Sequence, residues 1–375
     1  MTDALEQWRL TLLKAKADGL PVHIQGAGTK AFYGTKSVGE IIDTRGHSGI
    51  IHHEPTELVV TVKAGTPWLE LEAELHKHQQ YLPFEPPFVH QGATVGGVIN
   101  AGWTGAARLS SGGIRDYVLG AHLLNAEGLL LKFGGQVMKN VAGYDISRLL
   151  VGSMGTLGLM TQVSLKLLPQ PKATLSICFA MGFADAQKLC RLFLVKPIAV
   201  TGTAWFDGML TVRLAGMNAA VEAGEAALLS WAKENGVTDF QHLSPSQARA
   251  FWSEVNEQSH PYFDYPPTPE HELWRIVLPT SVDGLSVINE TGLALWGGSL
   301  RWIWRQTTPK EAQDLIEKCQ QVGGHALRYR GNDPHFSAHF ISASPELMAL
   351  QEQVRRQFDP TSLFNRNRFG VTHVS

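Results

Sequence analysis

Hydrophobic residues recur at helical and strand spacings along the first third of the chain. Residues 1–19 place apolar side chains on one helical face and acidic residues in the first turn, and so predict an amphipathic helix. Residues 57–63 alternate apolar and polar side chains and predict a strand. Thr66 and Pro67 then have the pattern of an N-cap followed by proline, so we expect a helix over 68–75.

The pattern changes at residue 83, where the chain becomes loop-rich and dense in glycine as far as residue 113. Residues 118–132 predict a β-hairpin, and residues 159–167 alternate again as a strand. The Pro169-Gln-Pro171 segment is typical of a connection, and it marks a predicted domain boundary.

Beyond this boundary glycine thins out, and helical and strand-like patterns alternate. Helices are predicted over 183–195, 218–235, 309–321 and 345–358, and strands over 203–206, 210–214, 273–278 and 300–305. The second half of the chain is therefore expected to be a separate α+β domain.

Composition and charge exclude several classes of function. A net charge of -2 over 375 residues gives no electrostatic footprint for nucleic acid or an anionic membrane surface. Cys178, Cys190 and Cys319 are far apart, which argues against a disulfide framework or an iron–sulfur site in this chain. The N-terminal segment lacks the features of a signal peptide, and no apolar run approaches a membrane span. We therefore expect a soluble cytoplasmic protein.

The first glycine cluster, Gly26-Ala-Gly28-Thr-Lys-Ala31, fits the G-x-G-x-x-A pattern of a dinucleotide-binding βαβ unit. Such a unit needs a helical crossover of at least ~10–12 residues. Only eight residues separate Ala31 from the next predicted strand at Glu40, and Gly34 interrupts them. We therefore predict a loop at 25–30 that binds pyrophosphate through successive backbone N–H groups, with an ordinary tight turn as the alternative.

The second cluster, residues 92–105, has a small residue at almost every second position. Val95, Val98 and Ile99 favour burial, which argues against a flexible surface loop. We predict that this backbone lies against a large planar or phosphorylated ligand.

The third cluster, residues 139–161, places a short helix between two glycine-rich turns. The turn at 155–158 is the better ligand candidate of the two. Asp145 and Arg148 are spaced i, i+3, so a surface ion pair is at least as good an interpretation of them as ligand contact.

Together these segments resemble the FAD-binding domain of the vanillyl-alcohol oxidase type, also called the PCMH type. Four elements match in order over about residues 20–170: the loop at 25–30, the segment 92–105, the strand start at 115–120 and the stretch 139–161. The resemblance implies FAD held between two α+β subdomains, with its pyrophosphate on the first loop.

The resemblance also implies a domain organisation and a set of cofactor contacts. We expect a PCMH-type FAD-binding domain over 1–170, a smaller α+β domain of antiparallel sheet and helices over 171–344, and a tail over 345–375 that returns to the first domain. The implied FAD-binding residues are Gln25, Gly26, Ala27, Gly28, Thr29, Lys30, Thr94, Gly96, Gly97, Asn100, Gly102, Gly155, Gly158, Leu159 and Thr161.

The sequences of residues 139–145 and of the closing segment 358–365 are similar to those of FAD-binding subunits of bacterial glycolate oxidase complexes. This implies an oxidoreductase that converts glycolate to glyoxylate, alongside a larger FAD-binding subunit and an iron–sulfur subunit. The resemblance also leaves room for a peripheral position of this cytoplasmic chain at the inner membrane, through its partner subunits. Two alternatives stay open: a self-sufficient FAD oxidoreductase of another alcohol or hydroxy acid, and a non-catalytic scaffold. Asn365-Arg-Asn367 replaces the usual Asn-Pro-Gly ending, so the last loop is expected to differ locally.

Two departures from the family bear on the chemistry. The first loop has no histidine and no cysteine precedes Cys178, so FAD is expected to bind non-covalently. The His-x-Gly-Asp-Gly-Asn-x-His motif that supplies a metal site and a base in related dehydrogenases is absent, so no metal is expected.

The remaining candidates for chemistry lie in the second half. Arg275 and Arg301, both in apolar strand-like contexts, are the candidates for holding a substrate carboxylate, with a structural ion pair as the alternative. His335 and His339 are spaced i, i+4, but their neighbours favour a turn or strand over a metal-binding helix. The sequence does not fix a catalytic base.

Overall fold

A computed structural model describes residues 3–135, 145–289, 292–331 and 345–369. Within these ranges the α-helices are α1 Asp3–Ala17, α2 Trp68–Lys77, α3 Val95–Ala101, α4 Arg108–Ser111, α5 Phe183–Leu192, α6 Asn218–Glu234, α7 Pro245–Glu257, α8 Gly284–Val287, α9 Pro309–Gln321 and α10 Pro345–Phe358. The 3-10 helices are Ile114–Asp116, Ile146–Leu150, Pro261–Phe263 and Trp296–Gly298.

The strands are β1 Val22–Gln25, β2 Glu40–Asp43, β3 Ile50–Glu54, β4 Val59–Lys63, β5 Gln80–Tyr81, β6 Val118–Leu124, β7 Leu130–Gly134, β8 Leu159–Lys166, β9 Leu168–Pro169, β10 Ala173–Ala180, β11 Val200–Phe206, β12 Met209–Gly216, β13 Phe240–His242, β14 Glu272–Val277, β15 Leu293–Leu295, β16 Leu300–Arg305 and β17 His325–Arg330.

The chain divides into two compact units. The first comprises Met1–Thr104, Gly113–Gln170 and Ala343–Ser375, and the second comprises Gly105–Gly112 and Pro171–Ser342. The C-terminal segment therefore belongs to the first unit. The functional roles predicted for these parts of the chain stay predictions.

The first unit contains a five-stranded antiparallel sheet in the order β3-β4-β8-β6-β7. Its β4 is buried at nearly every position because α2 and α3 both cover this part of the sheet. Trp68 and Leu71 of α2 and Val98 of α3 are almost fully buried in the same core as Val60 and Val163. Burial of this apolar surface is the main stabilising term for the framework that carries the glycine clusters.

A separate two-stranded parallel sheet, β1-β2, starts the first unit. Helix α1 packs Trp8 and Leu12 against Val22 of β1, and Phe364 of the C-terminal segment joins the same core. The connection from residue 26 to 39 contains turns but no helix. The prediction that this loop is not part of a βαβ dinucleotide unit is confirmed.

The second unit is built on an eight-stranded sheet in the order β13-β10-β12-β11-β15-β16-β14-β17. All its strand pairs are antiparallel. Helices α5 and α6 bury Leu189 and Leu228 against one part of the sheet, and α9 buries Leu315 and Cys319 against another. The predicted α+β class with an antiparallel C-terminal sheet is confirmed.

Several helix predictions need correction. Thr66 does not cap α2: Pro67 is the N-cap residue, and the Thr66 hydroxyl instead accepts from Gly49 N at 2.9 Å and donates to Lys63 O at 2.8 Å. The segment 92–105 was expected to be irregular, but it contains α3. Helix α7 was not predicted, although Ser244 and Gln247 form a capping box at its start.

Other features agree with the sequence. Helices α9 and α10 and strand β16 begin and end where they were predicted. The hairpin of β6 and β7 is present, and Cys178, Cys190 and Cys319 are free and buried. No helix in the described ranges is long and apolar enough to cross a membrane.

Candidate cofactor site

The first unit contains a cavity of about 780 Å³, counting its space open to solvent. The cavity is lined by His23, Ile24, Gln25, Gly26, Ala27, Gly28, Thr29, Lys30, Ala31, Thr44, Ala64, Thr94, Gly96, Gly97, Asn100, Ala101, Met154, Gly155, Met160, Asn365 and Arg368. All three glycine clusters and the C-terminal segment thus meet at one place.

The loop that follows β1 presents its backbone to the cavity. Gly28 has a φ of +73°, which places it in the left-handed region, and its carbonyl accepts from Ala31 N at 2.9 Å. Within the described part of the chain, the N–H groups of residues 26–29 donate to no protein acceptor, although these residues are partly buried. Such a run of free donors suits an anion with several oxygens, because each oxygen can accept a hydrogen bond.

The second cluster forms helix α3, whose first residues face this loop. Thr94 caps the helix, and its hydroxyl accepts from Gly97 N at 3.2 Å. A Cβ added at Gly26 would lie 2.3 Å from Thr94 Oγ1, and one at Gly96 would lie 2.8 Å from the Cβ of Ala64. Both glycines are therefore needed for the close approach of the segments that border the cavity.

Asn100 of α3 joins the second cluster to the third. Its Nδ2 donates to Gly96 O at 2.8 Å, and its Oδ1 accepts from the Ser153 hydroxyl at 2.9 Å. The backbone of Asn100 also accepts from Met154 N at 2.8 Å. The side chain of this predicted FAD contact is thus held by protein hydrogen bonds at the cavity wall.

The C-terminal segment completes the wall through Asn365. Its Oδ1 accepts from Ile24 N at 2.8 Å, and its Nδ2 donates to Met154 O at 2.7 Å. A Cβ on Gly155 would lie 2.7 Å from the same Nδ2. One buried amide therefore connects the end of β1 to the glycine turn after the Ile146–Leu150 helix.

Arg368 anchors the tail to the first loop. Its guanidinium donates to Lys30 O at 2.8 Å and to Thr35 O at 3.3 Å. The side chain is almost fully buried, and burial lowers the pKa of Arg368, while Tyr33 acts in the opposite direction. Neither Asn365 nor Arg368 was predicted as a site residue.

The charge of the lining favours an anionic ligand. Lys30 is buried, with its Nζ donating to Pro87 O at 3.1 Å and lying 5.5 Å from the centre of the Phe88 ring. No aspartate or glutamate is among the described residues that line the cavity. Burial lowers the pKa of His23, and its hydrogen bond with Gln25 acts to raise it. The positive charge of Arg368 acts in the same direction as burial.

These features fit FAD. Free backbone donors and buried cations lie at the predicted pyrophosphate loop, and small and apolar residues such as Gly96, Ala101 and Met160 also line the cavity. A diphosphate requires the first kind of surface, and an apolar ring system requires the second.

Four predicted FAD contacts lie against protein neighbours instead of lining this cavity. Gly102 ends α3 in the left-handed region, and Gly158 packs against the side chain of Leu123. Leu159 is fully buried in the core beside α1, and the Thr161 hydroxyl donates to His122 O at 3.3 Å. The glycines at 102 and 158 and the apolar side chain of Leu159 serve the packing of α3 and β8, and contact of these four residues with FAD stays a prediction.

The third cluster is described only from residue 145 onward, so 139–144 lie outside the described residues. Arg148 Nε lies 3.0 Å from a carboxylate oxygen of Asp145, and both side chains are exposed by about two fifths. The surface ion pair that was one interpretation of these two residues is therefore present.

The two arginine candidates lie in the second unit. Arg301 is fully buried, with its Cζ 4.5 Å from the Phe183 ring centre, and its guanidinium donates to Gly298 O and Ile288 O. Burial lowers the pKa of Arg301 to about 10. Arg275 lies over the rings of Trp296 and Trp302. A role for either arginine in catalysis stays a prediction, and His335 and His339 lie outside the described residues.

Comparison with known proteins decides the family. A family described as "FAD binding domain" matches residues 4–134. The glycolate oxidase subunit GlcE of Escherichia coli K12 is 38% identical over 355 residues, which cover 95% of this chain and 94% of that protein. The chain belongs to the GlcE family.

Two further comparisons concern part of the sequence and the fold. The glycolate oxidase subunit GlcD of Bacillus subtilis is 33% identical to this GlcE-family chain over 186 residues, 48% of this chain and 39% of that protein. A solved structure of alkyldihydroxyacetonephosphate synthase has a TM-score of 0.66 over 96% of this chain and 74% of its own, at 15% identity, and shows the fold alone. The predicted family, FAD cofactor and oxidoreductase class are confirmed.

Proposed function

We propose that this chain is the FAD-binding subunit of a complex that oxidises glycolate to glyoxylate. The observation that carries the proposal is the cavity in which the free backbone donors of the first loop meet α3 and the C-terminal segment. Membership of the GlcE family supports glycolate as the substrate of the complex. When bound, FAD supplies the two-electron acceptor that oxidation of a hydroxy acid requires.

In this proposal the first loop and its two cations hold the FAD pyrophosphate. The N–H groups of residues 26–29 orient the phosphate oxygens, and Lys30 and Arg368 provide positive potential while remaining bound to backbone carbonyls. Asn365 and Asn100 hold the walls at a fixed separation. The second unit would contribute surface to the substrate or to partner subunits.

We further propose that the chain works beside a second flavoprotein subunit of the GlcD type and an iron–sulfur protein. Support comes from the similarity of the chain to the glycolate oxidase subunits GlcE and GlcD and from the absence of the His-x-Gly-Asp-Gly-Asn-x-His motif from the sequence. Arg275 and Arg301 remain the proposed carboxylate-binding residues, should glycolate bind to this chain.

Cofactor binding is tested on the purified full-length chain. Denaturation with acid should release about one equivalent of FAD into the supernatant, as expected of non-covalent attachment. Flavin that stays in the precipitate would contradict non-covalent binding, and a colourless chain that cannot take up added FAD would support the scaffold alternative.

The division of labour needs a second experiment. We expect glycolate to leave the flavin of the isolated chain oxidised under anaerobic conditions, and to reduce it after addition of the GlcD-type and iron–sulfur subunits. Rapid reduction in the isolated chain would overturn the accessory role and favour the self-sufficient oxidoreductase.

A further inference from the structure

A cluster of metal-ligating side chains lies in the first unit and shares no residue with the cavity lining. It consists of His53 on β3, Glu74 on α2, and His78 at the C-cap of α2. Their candidate ligand atoms all lie within 4.8 Å of one another. The rings of His53 and His78 meet edge to face with centroids 4.8 Å apart, and His78 Nε2 lies 3.7 Å from Glu74 Oε1.

The backbone fixes the relative positions of these three residues. Glu74 and His78 are four residues apart, so they lie on the same face of α2 one turn apart. Strand β3 carries His53 to that face. The strand belongs to the five-stranded sheet, and α2 is held in the core by Trp68 and Leu71. Two rigid elements thus bring the three side chains together.

Gln80 determines which nitrogen of His53 is available. The Gln80 amide donates to Pro55 O at 2.7 Å, so its Oε1 is left as the acceptor for His53 Nε2 at 2.9 Å. The imidazole proton then lies on Nε2, and Nδ1 keeps a lone pair. Metal-binding histidines commonly have this arrangement, in which the second ring nitrogen donates to a fixed oxygen.

Glu74 presents one carboxylate oxygen to the cluster and binds Lys77 with the other. Its Oε2 accepts a hydrogen bond from Lys77 Nζ at 2.6 Å, while Oε1 faces His78. A carboxylate oxygen therefore points toward both imidazoles.

We propose that His53, Glu74 and His78 bind one divalent zinc-like transition-metal ion, with water completing the coordination. Two imidazole nitrogens and one carboxylate are an established zinc ligand set, whereas Mg²⁺ and Ca²⁺ prefer oxygen ligands throughout. Tetrahedral zinc with bonds of about 2.0–2.2 Å places its ligand atoms roughly 3.3 Å apart. The Glu74–His78 pair is already near this spacing. Rotation of the half-exposed His78 side chain shortens the remaining distances between the ligand atoms.

No metal was expected from the sequence because the metal-binding motif of related dehydrogenases is absent, and His53, Glu74 and His78 belong to no sequence motif. His53 comes from a strand 21 positions before Glu74, and only the pairing of β3 with the sheet beneath α2 brings it close. The site links β3 to the C-terminal end of α2, so bound metal should stabilise the first unit without changing the flavin.

The test is titration of Zn²⁺ into the tag-free, FAD-loaded full-length chain, followed by calorimetry and thermal unfolding. A background carrying His335→Ala and His339→Ala prevents that pair from contributing. We expect one site in this background, and at least a tenfold loss of affinity in both His78→Ala and Glu74→Gln. The matched control is His52→Ala, because His52 is the exposed neighbour of His53 and its side chain points to the opposite face of β3.

The outcomes separate clearly. Retention of the site in His52→Ala and its loss in His78→Ala, with unchanged flavin absorbance and circular dichroism, would support the proposal. Equal zinc affinity in His78→Ala and His52→Ala, or no zinc binding by the background protein, would overturn it. His78 is half-exposed, so its replacement by alanine leaves the core intact even if His53→Ala fails to fold.

Discussion

At the scale of single residues, Asn365 makes three long-range hydrogen bonds beside the cavity, with Ile24, Met154 and Val22. Its amide joins β1 to the 153–155 turn, and its φ of +39° is one that asparagine tolerates better than most residues. Nothing local in the sequence indicates this role, because its partner Ile24 is 341 positions away. Family resemblance pointed to this segment, through the similarity of residues 358–365 and the family's Asn-Pro-Gly ending.

Asn365→Asp should destabilise the first unit and weaken FAD binding. The substitution replaces the Nδ2 donor with an oxygen that faces Met154 O, so a buried carbonyl loses its partner. Leaving such a group unsatisfied costs about 1–3 kcal/mol. Urea unfolding gives the stability change, and fluorescence titration with FAD gives the affinity.

Asn367→Asp is the matched control for this substitution. Asn367 also has a positive φ, of 66°, but its side chain is exposed. Surface changes of this kind usually stay within about 0.5 kcal/mol. Equal effects of the two substitutions would show that the amide of Asn365 has no special role.

Gly26→Ala should weaken FAD binding through a steric clash. The new methyl group would lie 2.3 Å from Thr94 Oγ1, so the loop and the start of α3 must separate. Overpacking of this kind costs about 1–3 kcal/mol. Isothermal titration with FAD and thermal unfolding measure the two consequences.

Gly46→Ala is the control for this clash, because a Cβ there meets nothing within 4 Å. Thr94→Ala should partly relieve the clash, so the double variant should lose less than the sum of the two single variants. Strictly additive losses would mean that Gly26 acts independently of Thr94.

At the scale of elements, periodic segments were predictable and the glycine-rich ones were not. Helix α9 was predicted correctly because its apolar residues repeat at helical spacing, and Thr308 and Glu311 form a capping box. Helix α3 was missed because glycine has low helix propensity. It forms because Thr94 caps it and because tertiary packing buries Val98 and Ile99.

Helix α10 should contribute to stability in a pH-dependent way through Glu352. Hydrogen bonds from Arg355 and, to a smaller extent, from Arg356 lower the pKa of Glu352 to about 2, although burial acts to raise it. A carboxyl whose folded pKa is depressed stabilises the fold above its unfolded pKa of about 4.3, and this stabilisation is lost as pH falls toward 2. After solvent screening the effect is on the order of 1–2 kcal/mol.

Glu352→Gln should therefore lower the free energy of unfolding at pH 7. The fall of this free energy between about pH 4.5 and 2 should be smaller than in the wild type, as measured by urea unfolding at several pH values. Glu57→Gln, which removes an exposed carboxylate of the same unit, should keep the wild-type profile. A parallel profile for Glu352→Gln and wild type would contradict the role of the two arginines.

At the scale of the whole molecule, one unit carries every described residue of the FAD cavity. The first and third glycine clusters and the tail are separated by more than a hundred residues each, yet they meet because β1 pairs with β2 and bridges Phe364, while β8 pairs with β4 and β6. A single sequence indicates each cluster but not the pairing between strands, which depends on long-range packing. The expectation that the three clusters form one site came from the family resemblance.

This arrangement predicts where FAD binding should slow hydrogen exchange. Ligand present at about 100 times its dissociation constant stabilises the form that binds it by about 2.7 kcal/mol. Peptides that contain residues 22–31, 94–101 and 362–369 should therefore exchange more slowly with FAD present, because local opening of these segments exposes the cavity. Peptides from α6 of the second unit, Asn218–Glu234, should change least, since none of their residues lines the cavity. Mass spectrometry of the chain with and without FAD distinguishes the outcomes, and protection strongest in α6 would place the cofactor elsewhere.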